Sequence, residues 1–580
     1  MNRILFFVHY NKYDGLADYV LYLLEHIKTI YNRIVFISNS PISDEQQDKL
    51  AGLYDSILIR ENKGYDFGAW KDALLKEGWD NLAQYDSVTL MNDSCFGPIF
   101  DLTPIYIDME QKDIDFWGMT THQKTKNGMP GTNRTIPEHI QSYFICFNTR
   151  VIMSAIFQKF WNTVEYLNDV NKVISLYETQ LTNLLVNTGL KYCALYSQLF
   201  PPDTENKDIA TWHPYLAIQN HVPFVKIKSF VYFSYQKHIL NLIKEKTQYP
   251  VNLIYSHVTE VFNPNLSLQI CDKLIPAVKI TEYIVNVSVA IHLHVFYLDV
   301  FNEYINYFNT ITFNFDLYIT TDTQEKEIYI RDYIKNTKTK KALKIILIVE
   351  NRGRDVLPWL NLADTLSKYD IVGKFHTKKS AIRDEWFGIT WQQELFDLLV
   401  HPIAAIIETF NSNEKIGIII PETPYYFCIP APFDFTEEKD MQPIMNKLWK
   451  KMSCKKSIDF RNLMTPIMPC GTMFWYRPQA LRSLFDLQLS VNDIPPEPIP
   501  NNGTILHCIE HMLVYIAWDE GYDYRIMTTE TPSISTFVYN MVLQKERNRI
   551  KQSKSYQIGR LLLTLPKAIK KLIDNNFRQI

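Results

Sequence analysis

The amino-acid sequence predicts an α/β protein with two tandem domains, each a mostly parallel sheet covered by helices, and an amphipathic helical tail. Three observations predict this architecture. A chain of 580 residues is too long to fold around a single core. Short apolar runs alternate with segments of helical periodicity, and this order occurs twice along the chain. The phrase ENKGYDFGAW at Glu61–Trp70 also returns as ENRGRDVLPW at Glu350–Trp359.

The elements of the first half follow one another in strand-helix order. Apolar runs predict strands at 4–8, 33–37, 57–60, 87–91 and 115–119, and helical patterns predict helices at 18–30, 44–53 and through 71–75. Parallel neighbours need crossover connections, so this order calls for a mostly parallel sheet. Residues 226–275 contain helical patterns and scattered prolines, which predict a helical linker region. The first domain is therefore placed at 1–275.

The second half repeats this order. Strands are predicted at 285–295, 317–320 and 344–349, and helices at 300–308 and 324–335. We place the second domain at 276–545 and the tail at 546–580.

Further landmarks repeat in the same sequence order. The segment 85–94, which contains Asn-Asp-Ser, is answered by 369–379, which contains His-Thr-Lys-Lys. Glu178 stands eleven residues before Gly189, and Glu510 stands eleven before Gly521. His9 and His294 each lie near the end of a first strand. An internal duplication of a whole domain explains these matches, and the alternative is coincidence among common strand-turn-helix phrases.

Composition narrows the function. The formal net charge of −3 argues against a nucleic-acid-binding protein, which would need a basic face for phosphates. The eight cysteines are scattered without a C-x-x-C pair, which favours reduced thiols over disulfides or a zinc site. No apolar run is long enough to cross a bilayer, so we expect the chain to stay on one side of the membrane.

The tail differs from the rest of the chain. Residues 559–573 mix Leu and Ile with Arg560, Lys567, Lys570 and Lys571, the composition of a helix that lies in an anionic lipid interface. A terminal helix that packs on the protein is the alternative, because most amphipathic helices face a core.

Candidate ligand-binding residues follow the predicted strands of the first domain. In an open parallel sheet, ligands bind outside the carboxyl ends of the strands. The residues expected there are His9, Asn62, Gly64, Asp66, Asp93 and Ser94. Gly64 permits a tight turn, Asp66 can accept hydrogen bonds from a ribose or base, and Asp93 is a hard oxygen ligand suited to Mg²⁺ or Mn²⁺.

Each of these residues also has a structural interpretation. Asp66 can cap the following helix, and Asp93 can simply stabilise a turn. Glu178 can be a solvated residue at a helix start, and His9 can be a structural histidine.

The second domain carries a related set with different chemistry. Its members are His294, Asn351, Gly353, Asp355, His376, Lys378 and Lys379. Lys378 and Lys379 stand near the position of Asp93 and can neutralise a diphosphate without a metal ion. A solvated lysine pair in a loop is the alternative. Glu510 remains as a possible base.

The order of these landmarks resembles the nucleotide-sugar glycosyltransferases of the GT-A fold, a Rossmann-like fold, and especially the inverting family two. Longer phrases resemble the rhamnan synthesis protein F family over Met1 to about Tyr539. They lie at 62–70, 90–98, 115–119, 139–144, 177–180, 351–355 and 375–380.

The resemblance implies a bacterial rhamnosyltransferase, a hexosyltransferase that transfers L-rhamnose from dTDP-L-rhamnose with inversion. Its acceptor would be an undecaprenyl-diphosphate-linked glycan, and the product the rhamnan of a cell-wall polysaccharide or O-antigen. The enzyme would act with other polysaccharide-synthesis enzymes on the membrane surface, as a peripheral protein on the cytoplasmic face. No nucleic acid is expected as a partner.

The resemblance also assigns roles. Asp93 becomes the ligand of Mg²⁺ or Mn²⁺, and Glu178 becomes the general base, while Trp117 and Tyr143 form an aromatic wall for the acceptor or sugar. The Asn-Asp-Ser segment has one carboxylate where the family-two pattern has two or three, so dispensable metal binding stays open. Two interpretations of the second domain also stay open: it makes a second linkage with Glu510 as base, or it only grips the lipid diphosphate of the acceptor.

A protein of another class is the rival interpretation. A non-catalytic carbohydrate-binding or scaffold protein could retain two degenerate transferase domains. The single carboxylate of Asn-Asp-Ser favours this rival, whereas two glutamates at matching positions argue against it.

Overall fold

The structure is a computed structural model, which describes residues 1–125, 135–197, 208–232, 236–278, 285–336, 344–377, 385–423, 441–463, 467–500, 503–529 and 547–560. The chain divides into two compact units. The N-terminal unit comprises Met1–Phe262 and Gln269–Cys271, and the C-terminal unit comprises Asn263–Leu268 and Asp272–Ile580. The predicted boundary at 275 lies a few residues after this division.

The N-terminal unit is built on one sheet. Its described strands are β1 (Arg3–His9), β2 (Arg33–Ser38), β3 (Ser56–Ile59), β4 (Ser87–Asn92), β5 (Cys95–Phe96), β6 (Phe116–Gly118), β7 (Thr121–His122), β8 (His139–Ile140), β9 (Phe144–Asn148), β10 (Tyr192–Ala194) and β11 (Val225–Lys226). The sheet has the order β10-β6-β9-β4-β1-β2-β3. Only β9 runs antiparallel to its neighbours in this sheet. Two small antiparallel ribbons, β5 with β11 and β7 with β8, lie outside it.

Helices cover this sheet. They are α1 (Asp18–Ile27), α2 (Asp44–Leu50), α3 (Tyr65–Glu77), α4 (Trp79–Leu82), α5 (Thr103–Glu110), α6 (Thr149–Ile152), α7 (Ala155–Thr163), α8 (Val170–Val173), α9 (Thr179–Val186), α10 (Ile209–Trp212), α11 (Pro214–Gln219), α12 (Ile227–Tyr232), α13 (Gln236–Lys246) and α14 (Asn252–Val261), with a 3-10 turn at Lys28–Ile30 and a π-helical turn at Ile174–Glu178. The next helix, α15 (Pro264–Ile270), lies mostly in the C-terminal unit. The central strands β1 and β4 are buried along almost their whole length, which explains their continuous apolar sequences.

The C-terminal unit has a sheet of the same design. Its described strands are β12 (Leu274–Pro276), β13 (Val289–Val295), β14 (Asp316–Thr321), β15 (Lys344–Ile348), β16 (Ile371–His376), β17 (Ile416–Pro421), β18 (Phe474–Tyr476) and β19 (Asp523–Thr528). The order is β12-β19-β17-β18-β16-β13-β14-β15, and only β18 is antiparallel to its neighbours. Without β12, strand order and direction repeat those of the N-terminal sheet. The predicted pair of α/β domains is confirmed.

The helices of the C-terminal unit follow the same plan. They are α16 (Phe301–Phe308), α17 (Gln324–Asn336), α18 (Val356–Leu360), α19 (Ala363–Leu366), α20 (Glu385–Leu399), α21 (Ile403–Ser412), α22 (Met441–Lys451), α23 (Arg482–Phe485) and α24 (Ile505–Asp519), with 3-10 turns at Leu298–Val300, Phe460–Asn462, Pro478–Leu481 and Val491–Asp493. In the tail, 547–552 and 554–560 are helical, and the rest of the predicted amphipathic segment lies outside the described residues. No helix in the described ranges is long and apolar enough to span a bilayer.

Strand register corrects one sequence match. Asp93 follows β4 and Thr377 follows β16 by one residue, and their amides donate to the carbonyls of Val8 and His294, respectively. Val8, and not His9, is therefore the counterpart of His294. Because successive side chains of a strand point to opposite faces, the two histidines lie on opposite faces of their sheets. The predicted pairing of the two histidines is wrong by one residue.

Candidate active site

The repeated phrase forms the same unusual turn in both units. Gly64 and Tyr65 have φ angles of 74° and 52°, and their counterparts Gly353 and Arg354 have 78° and 50°. Two successive left-handed residues reverse the chain between strand and helix, and a non-glycine residue at the second position is strained. In the N-terminal unit the turn places Asp66 in the first helical turn of α3, where Gly64 holds the N-cap position without a side-chain cap. The capping role for Asp66 is therefore wrong.

Gly64 is also required for space. A Cβ at this position would lie 3.0 Å from the Cα of Gly68 and 3.2 Å from the Cα of Tyr166, both backbone atoms. Gly52 has a similar φ of 77° but nothing within 4 Å of an added Cβ. The two glycines therefore separate the cost of backbone conformation from the cost of crowding.

Gly64→Ala is expected to lower the free energy of unfolding by about 2–4 kcal/mol, whereas Gly52→Ala costs only about 1 kcal/mol for its left-handed backbone. Urea denaturation followed by tryptophan fluorescence measures both values. Equal losses in the two variants would show that the crowding at Gly64 is relieved without cost.

Asp66 is linked to the end of β4 through Asn92. The Nδ2 of Asn92 donates to the Oδ2 of Asp66 at 2.6 Å, and its Oδ1 accepts from the Oγ of Ser94 at 2.6 Å. The carboxyl ends of β3 and β4 are thus joined by side chains, at the edge of the sheet where open α/β folds bind ligands. This edge is called the N-terminal crevice below.

Asp93 is fixed by the loop after β1. Its Oδ2 accepts from the backbone N of Tyr10 at 2.8 Å, and its carbonyl accepts from the hydroxyl of Tyr19 at 2.7 Å. Burial raises the pKa of Asp93 to about 8, and the nearby charge of Asp66 adds to this shift. Burial likewise raises the pKa of Asp66 to about 6, with a further contribution from Glu178. The charge of Glu178 thus acts on Asp66, and the charge of Asp66 acts on Asp93, in one acidic environment.

Glu178 occupies equivalent surroundings to Glu510. It ends the π-helical turn at Ile174–Glu178, and its Oε1 accepts from the backbone N and the Oγ of Ser142 at 3.1 and 2.8 Å. In the C-terminal unit, the Oε1 of Glu510 accepts from the backbone N of Gly471 at 3.0 Å. The strand pairings of β9 and β18 make Gly471 the counterpart of Ser142. Each glutamate is thus held at the start of the antiparallel strand of its sheet.

One cation of this crevice was missed by the sequence analysis. Lys226 lies on β11, which pairs with Cys95 two residues after Asp93. Its Nζ lies 3.5 Å from the Oδ2 of Asp208 and 5.5 Å from the ring centroid of Tyr143. Burial favours the neutral amine, yet Asp208 and further groups that include Glu178 raise the pKa of Lys226. The lysine is therefore held charged beside the proposed base.

Asp208 completes this arrangement. It caps α10 by accepting from the backbone N of Thr211 at 3.0 Å. Although burial favours the neutral acid, Lys226 and Thr211 bring the pKa of Asp208 down to about 2. The only signal in the sequence is the alternation of apolar residues with Lys226 and Lys228 inside the predicted linker region.

Two other predicted site residues, His9 and Trp117, are buried inside the N-terminal unit. His9 is buried, and its Nδ1 lies 3.0 Å from the Oγ of Ser38, so burial lowers its pKa to about 4. Trp117 is 5% exposed and packs against Tyr106 and Phe144, with ring centroids 5.1 and 5.2 Å away. The structure does not bring Trp117 to the crevice.

Tyr143 and Asn62, by contrast, lie close to the N-terminal crevice. Tyr143 is buried beneath Lys226, and its hydroxyl lies 2.9 Å from the Oγ1 of Thr120. The Oδ1 of Asn62 is buried and has no hydrogen-bond partner within the described part of the chain.

The C-terminal crevice contains a different polar group. The Nζ of Lys374 donates to the Oδ2 of Asp355 at 2.6 Å, and the Nδ1 of His376 lies 3.4 Å from the same oxygen. The Nδ1 of His294 lies 2.9 Å from the Oγ1 of Thr320. Burial opposes ionisation of Asp355, but His376 and Lys374 outweigh it and hold its pKa well below the usual range. Lys378 and Lys379 lie outside the described residues.

The described side chains do not complete a metal site by themselves, so a bound ligand would have to supply further metal-binding oxygens. No group of three or more His, Cys, Asp or Glu in the described ranges is arranged to hold a metal ion. Asp93 and Asp66 nevertheless supply hard carboxylate oxygens in an acidic crevice, which suit Mg²⁺ or Mn²⁺ when the ligand provides the remaining oxygens. Asp93 and Asp66 are therefore the residues at this edge of the sheet that could ligate a divalent cation together with oxygens of a bound substrate.

This architecture, two mostly parallel sheets with one antiparallel strand each and acidic residues at the carboxyl edge, agrees with the GT-A-like fold that the sequence resemblance implies. The sequence matches the family described as rhamnan synthesis protein F over residues 34–522. The chain belongs to the rhamnan synthesis protein F family, as the sequence resemblance indicated.

Relatives and solved structures show more distant similarity. The uncharacterized protein WxcX of Xanthomonas campestris pv. campestris is 28% identical over 271 residues, 43% of this chain and 35% of that protein. The uncharacterized protein y4gN of Sinorhizobium fredii is 27% identical over 183 residues, 32% of this chain and 46% of that protein. The chain thus spans less than half the length of these curated relatives.

Two solved structures, the glycosyltransferase GlyE and core-mannan synthase A, are also similar. The match to GlyE of Streptococcus pneumoniae TIGR4 has a TM-score of 0.23 at 11% identity. It covers 65% of this chain and 86% of the GlyE chain. The match to core-mannan synthase A of Aspergillus fumigatus, in its Mn/GDP form, has a TM-score of 0.21 at 9% identity. It covers 34% of this chain and 73% of the synthase chain.

Proposed function

We propose that the protein is an inverting rhamnosyltransferase that transfers L-rhamnose from dTDP-L-rhamnose to a lipid-linked rhamnan acceptor. Membership of the rhamnan synthesis protein F family supports the substrate class. The observation that carries the proposal of catalysis is the N-terminal crevice, where Asn92 links Asp66 to the end of β4, Asp93 follows that strand, and the charge of Glu178 acts on Asp66.

Inversion needs one in-line displacement at the anomeric carbon. The acceptor hydroxyl loses its proton as its oxygen bonds to C1, and the C1–O bond to dTDP breaks with its electron pair leaving on the diphosphate. We assign the proton to Glu178, whose contacts with Ser142 fix the carboxylate at the rim of the crevice. A divalent ion held by Asp93 would neutralise charge on the leaving diphosphate.

Lys226 provides the protein's own positive charge at the same crevice. Its position on β11, next to the strand that follows Asp93, is suited to the departing diphosphate. The alternative is that Lys226 only balances the buried charge of Asp208.

Lys226→Met is expected to lower kcat/KM about 10- to 100-fold, the equivalent of one charged hydrogen bond of about 1.5–3 kcal/mol. Lys226→Arg keeps the charge and is expected to retain most of the activity. Lys49→Met, an exposed lysine on α2, is the matched control. Steady-state kinetics of the double variant Lys226→Met with Asp208→Asn separates the alternatives: recovered activity would reduce Lys226 to a counter-ion for Asp208.

Donor specificity is tested with a panel of nucleotide sugars. The protein is incubated with Mg²⁺ or Mn²⁺, each donor, and a rhamnosyl lipid acceptor, and both transfer and hydrolysis are measured. Turnover of dTDP-rhamnose alone is the expected result. A lack of turnover with every donor would instead favour the rival class, a carbohydrate-binding or scaffold protein.

The C-terminal unit is proposed to make a second linkage, with Glu510 as base. The support is that Glu510 accepts a backbone hydrogen bond from Gly471, as Glu178 does from Ser142. Loss of one linkage type in Lys378→Ala with Lys379→Ala would agree with two active sites. A uniform rise in the acceptor KM would instead assign the unit to binding of the lipid diphosphate.

The tail is proposed to bind the inner face of the membrane. Residues 546–580 contain nine Lys or Arg against one Glu and one Asp. In its described part, Ile550, Tyr556 and Ile558 are exposed by 55%, 40% and 58%. A basic helix with exposed apolar side chains is the composition that anionic lipid attracts.

Removal of residues 547–580 is expected to abolish sedimentation of the protein with vesicles of phosphatidylcholine and phosphatidylglycerol. Salt should weaken binding of the intact chain, because surface charges are screened. Unchanged sedimentation of the shortened chain would assign the membrane contact to another surface.

A further inference from the structure

A buried polar cluster replaces apolar residues in the C-terminal unit. Strand pairing gives the counterparts: Phe6 and His292, Val8 and His294, Leu90 and Lys374. In the N-terminal unit these positions belong to the apolar core beneath Asp66. In the C-terminal unit all three side chains are at least nine-tenths buried. Buried polar groups destabilise a fold unless they are paired, so their presence at a ligand-binding edge calls for a local explanation.

Lys374 is the charged member of this cluster. Its side chain is fully buried, and its Nζ donates to the Oδ2 of Asp355 at 2.6 Å and to the carbonyl of Thr472 at 2.8 Å. A buried charge of this kind is tolerated only with a partner of opposite sign. Asp355 is the counterpart of Asp66, whose Oδ2 instead accepts from the neutral amide of Asn92 while Lys228 acts on it only through its charge. Lys374 therefore makes a direct ion pair where the N-terminal unit has a neutral hydrogen bond.

The second carboxylate of the N-terminal crevice has no counterpart. The Oγ1 of Thr377 accepts from the backbone N of Phe296 at 2.9 Å, as the Oδ2 of Asp93 accepts from Tyr10. Threonine thus preserves the loop contact without the charge. At this pair of matching positions, the N-terminal unit therefore has two carboxylates, Asp66 and Asp93, whereas the C-terminal unit has only Asp355, which already pairs with an ammonium group.

We propose that Lys374 supplies, in the C-terminal unit, the positive charge that a divalent cation supplies in the N-terminal unit, so that the chain binds one metal ion and not two. This inference rests on the metal site proposed at Asp93. Lys374 acts as a positioning residue, since it is buried behind Asp355. The Oδ1 of Asp355 accepts no hydrogen bond within the described residues, which leaves it for a hydroxyl of a sugar or nucleoside bound without metal.

Titration with Mn²⁺, followed by electron paramagnetic resonance of the free ion, tests the stoichiometry. The intact chain is expected to bind one Mn²⁺ in the presence of dTDP. Asp93→Asn is expected to bind none, and Asp355→Asn still one. Two ions on the intact chain, or one ion retained in Asp93→Asn and lost in Asp355→Asn, would overturn the inference.

A gain of binding tests the role of Lys374 independently of the N-terminal site. Lys374→Leu with Thr377→Asp introduces the residue types found at Leu90 and Asp93. In the Asp93→Asn background, this double variant is expected to bind one Mn²⁺. If the double variant unfolds, as judged by circular dichroism, the stoichiometry of the intact chain and of Asp93→Asn decides the question. A folded double variant that binds no Mn²⁺ would overturn the inference.

The two proposals fail in distinguishable ways. An intact chain without bound Mn²⁺, together with a gain of one ion in the double variant, would refute the metal site at Asp93 and leave the role of Lys374 intact. One Mn²⁺ on the intact chain, with no ion gained by the double variant, would support the metal site at Asp93 and refute the role of Lys374.

Discussion

Glu178→Gln is expected to lower kcat about 10²- to 10⁴-fold, the usual contribution of a general base. The amide oxygen of glutamine can still accept from the backbone N and the Oγ of Ser142, so the local structure should persist. The amide has no basicity to remove the proton of the acceptor hydroxyl. KM for the donor should change little, since the loss concerns the chemical step. Transfer assays with dTDP-rhamnose measure both constants.

Glu45→Gln makes the same chemical change on the surface of α2, where the side chain is 81% exposed. This control should leave kcat unchanged. Full activity of Glu178→Gln, with the control also active, would remove Glu178 from the mechanism and with it the catalytic role proposed for the N-terminal crevice.

Asp93→Asn is expected to abolish stimulation by Mg²⁺ or Mn²⁺ and to lower kcat about 10²- to 10³-fold, because a metal ion contributes several kcal/mol to stabilising transition-state charge. The amide oxygen can still accept from the backbone N of Tyr10. Kinetics with and without added metal, together with Mn²⁺ binding, measures the effect. Asp108→Asn, an exposed residue of α5, is the control.

The same substitution should stabilise the metal-free protein. Folding raises the pKa of Asp93 to about 8, so the folded state binds a proton that the unfolded state has lost at neutral pH. The contribution of this group to stability is therefore present below pH 4 and is lost as the pH rises toward 8. The melting temperature of the wild type should fall over this range relative to Asp93→Asn. If the melting temperatures of the wild type and of Asp93→Asn change with pH in the same way, ionisation of Asp93 does not lower the stability of the fold.

The fold was accessible from the sequence because its signals are local. Each strand is a short apolar run, and each turn after the third strand contains a glycine in the left-handed region. The rule for carboxyl ends of parallel strands then leads to Asp66 and Asn92 at one edge, where the structure places their contact. The family and the two-domain fold were also correctly predicted.

Residues that reach the crevice by non-local pairing were not accessible. Lys226 is more than 130 positions from Asp93 and arrives through the antiparallel pairing of β11 with β5. Its segment was predicted only as part of a helical linker. No periodicity in a single sequence specifies which distant strand a two-residue segment will join.

Errors about which face of a strand a side chain occupies have a different origin. His9 and His294 look equivalent by distance from the strand start, yet a shift of one residue moves a side chain to the other face. Trp117 shows the same difficulty: an aromatic residue in a strand buried on both faces packs in the core as readily as it faces a cleft. Lys374, inside the apolar run IVGKFH, was visible in the sequence, but its partner Asp355 was assigned to ligand binding alone.

The most direct test of the account is the product formed by Glu510→Gln, in which only the N-terminal crevice keeps its proposed base. The variant is incubated with dTDP-β-L-rhamnose, Mn²⁺ and a rhamnosyl lipid acceptor, and the product is analysed by NMR. A single type of α-linked rhamnose is predicted, because one displacement inverts the anomeric centre. A β-linked product would contradict the single displacement, and no product from this variant while the intact chain is active would contradict catalysis in the N-terminal unit.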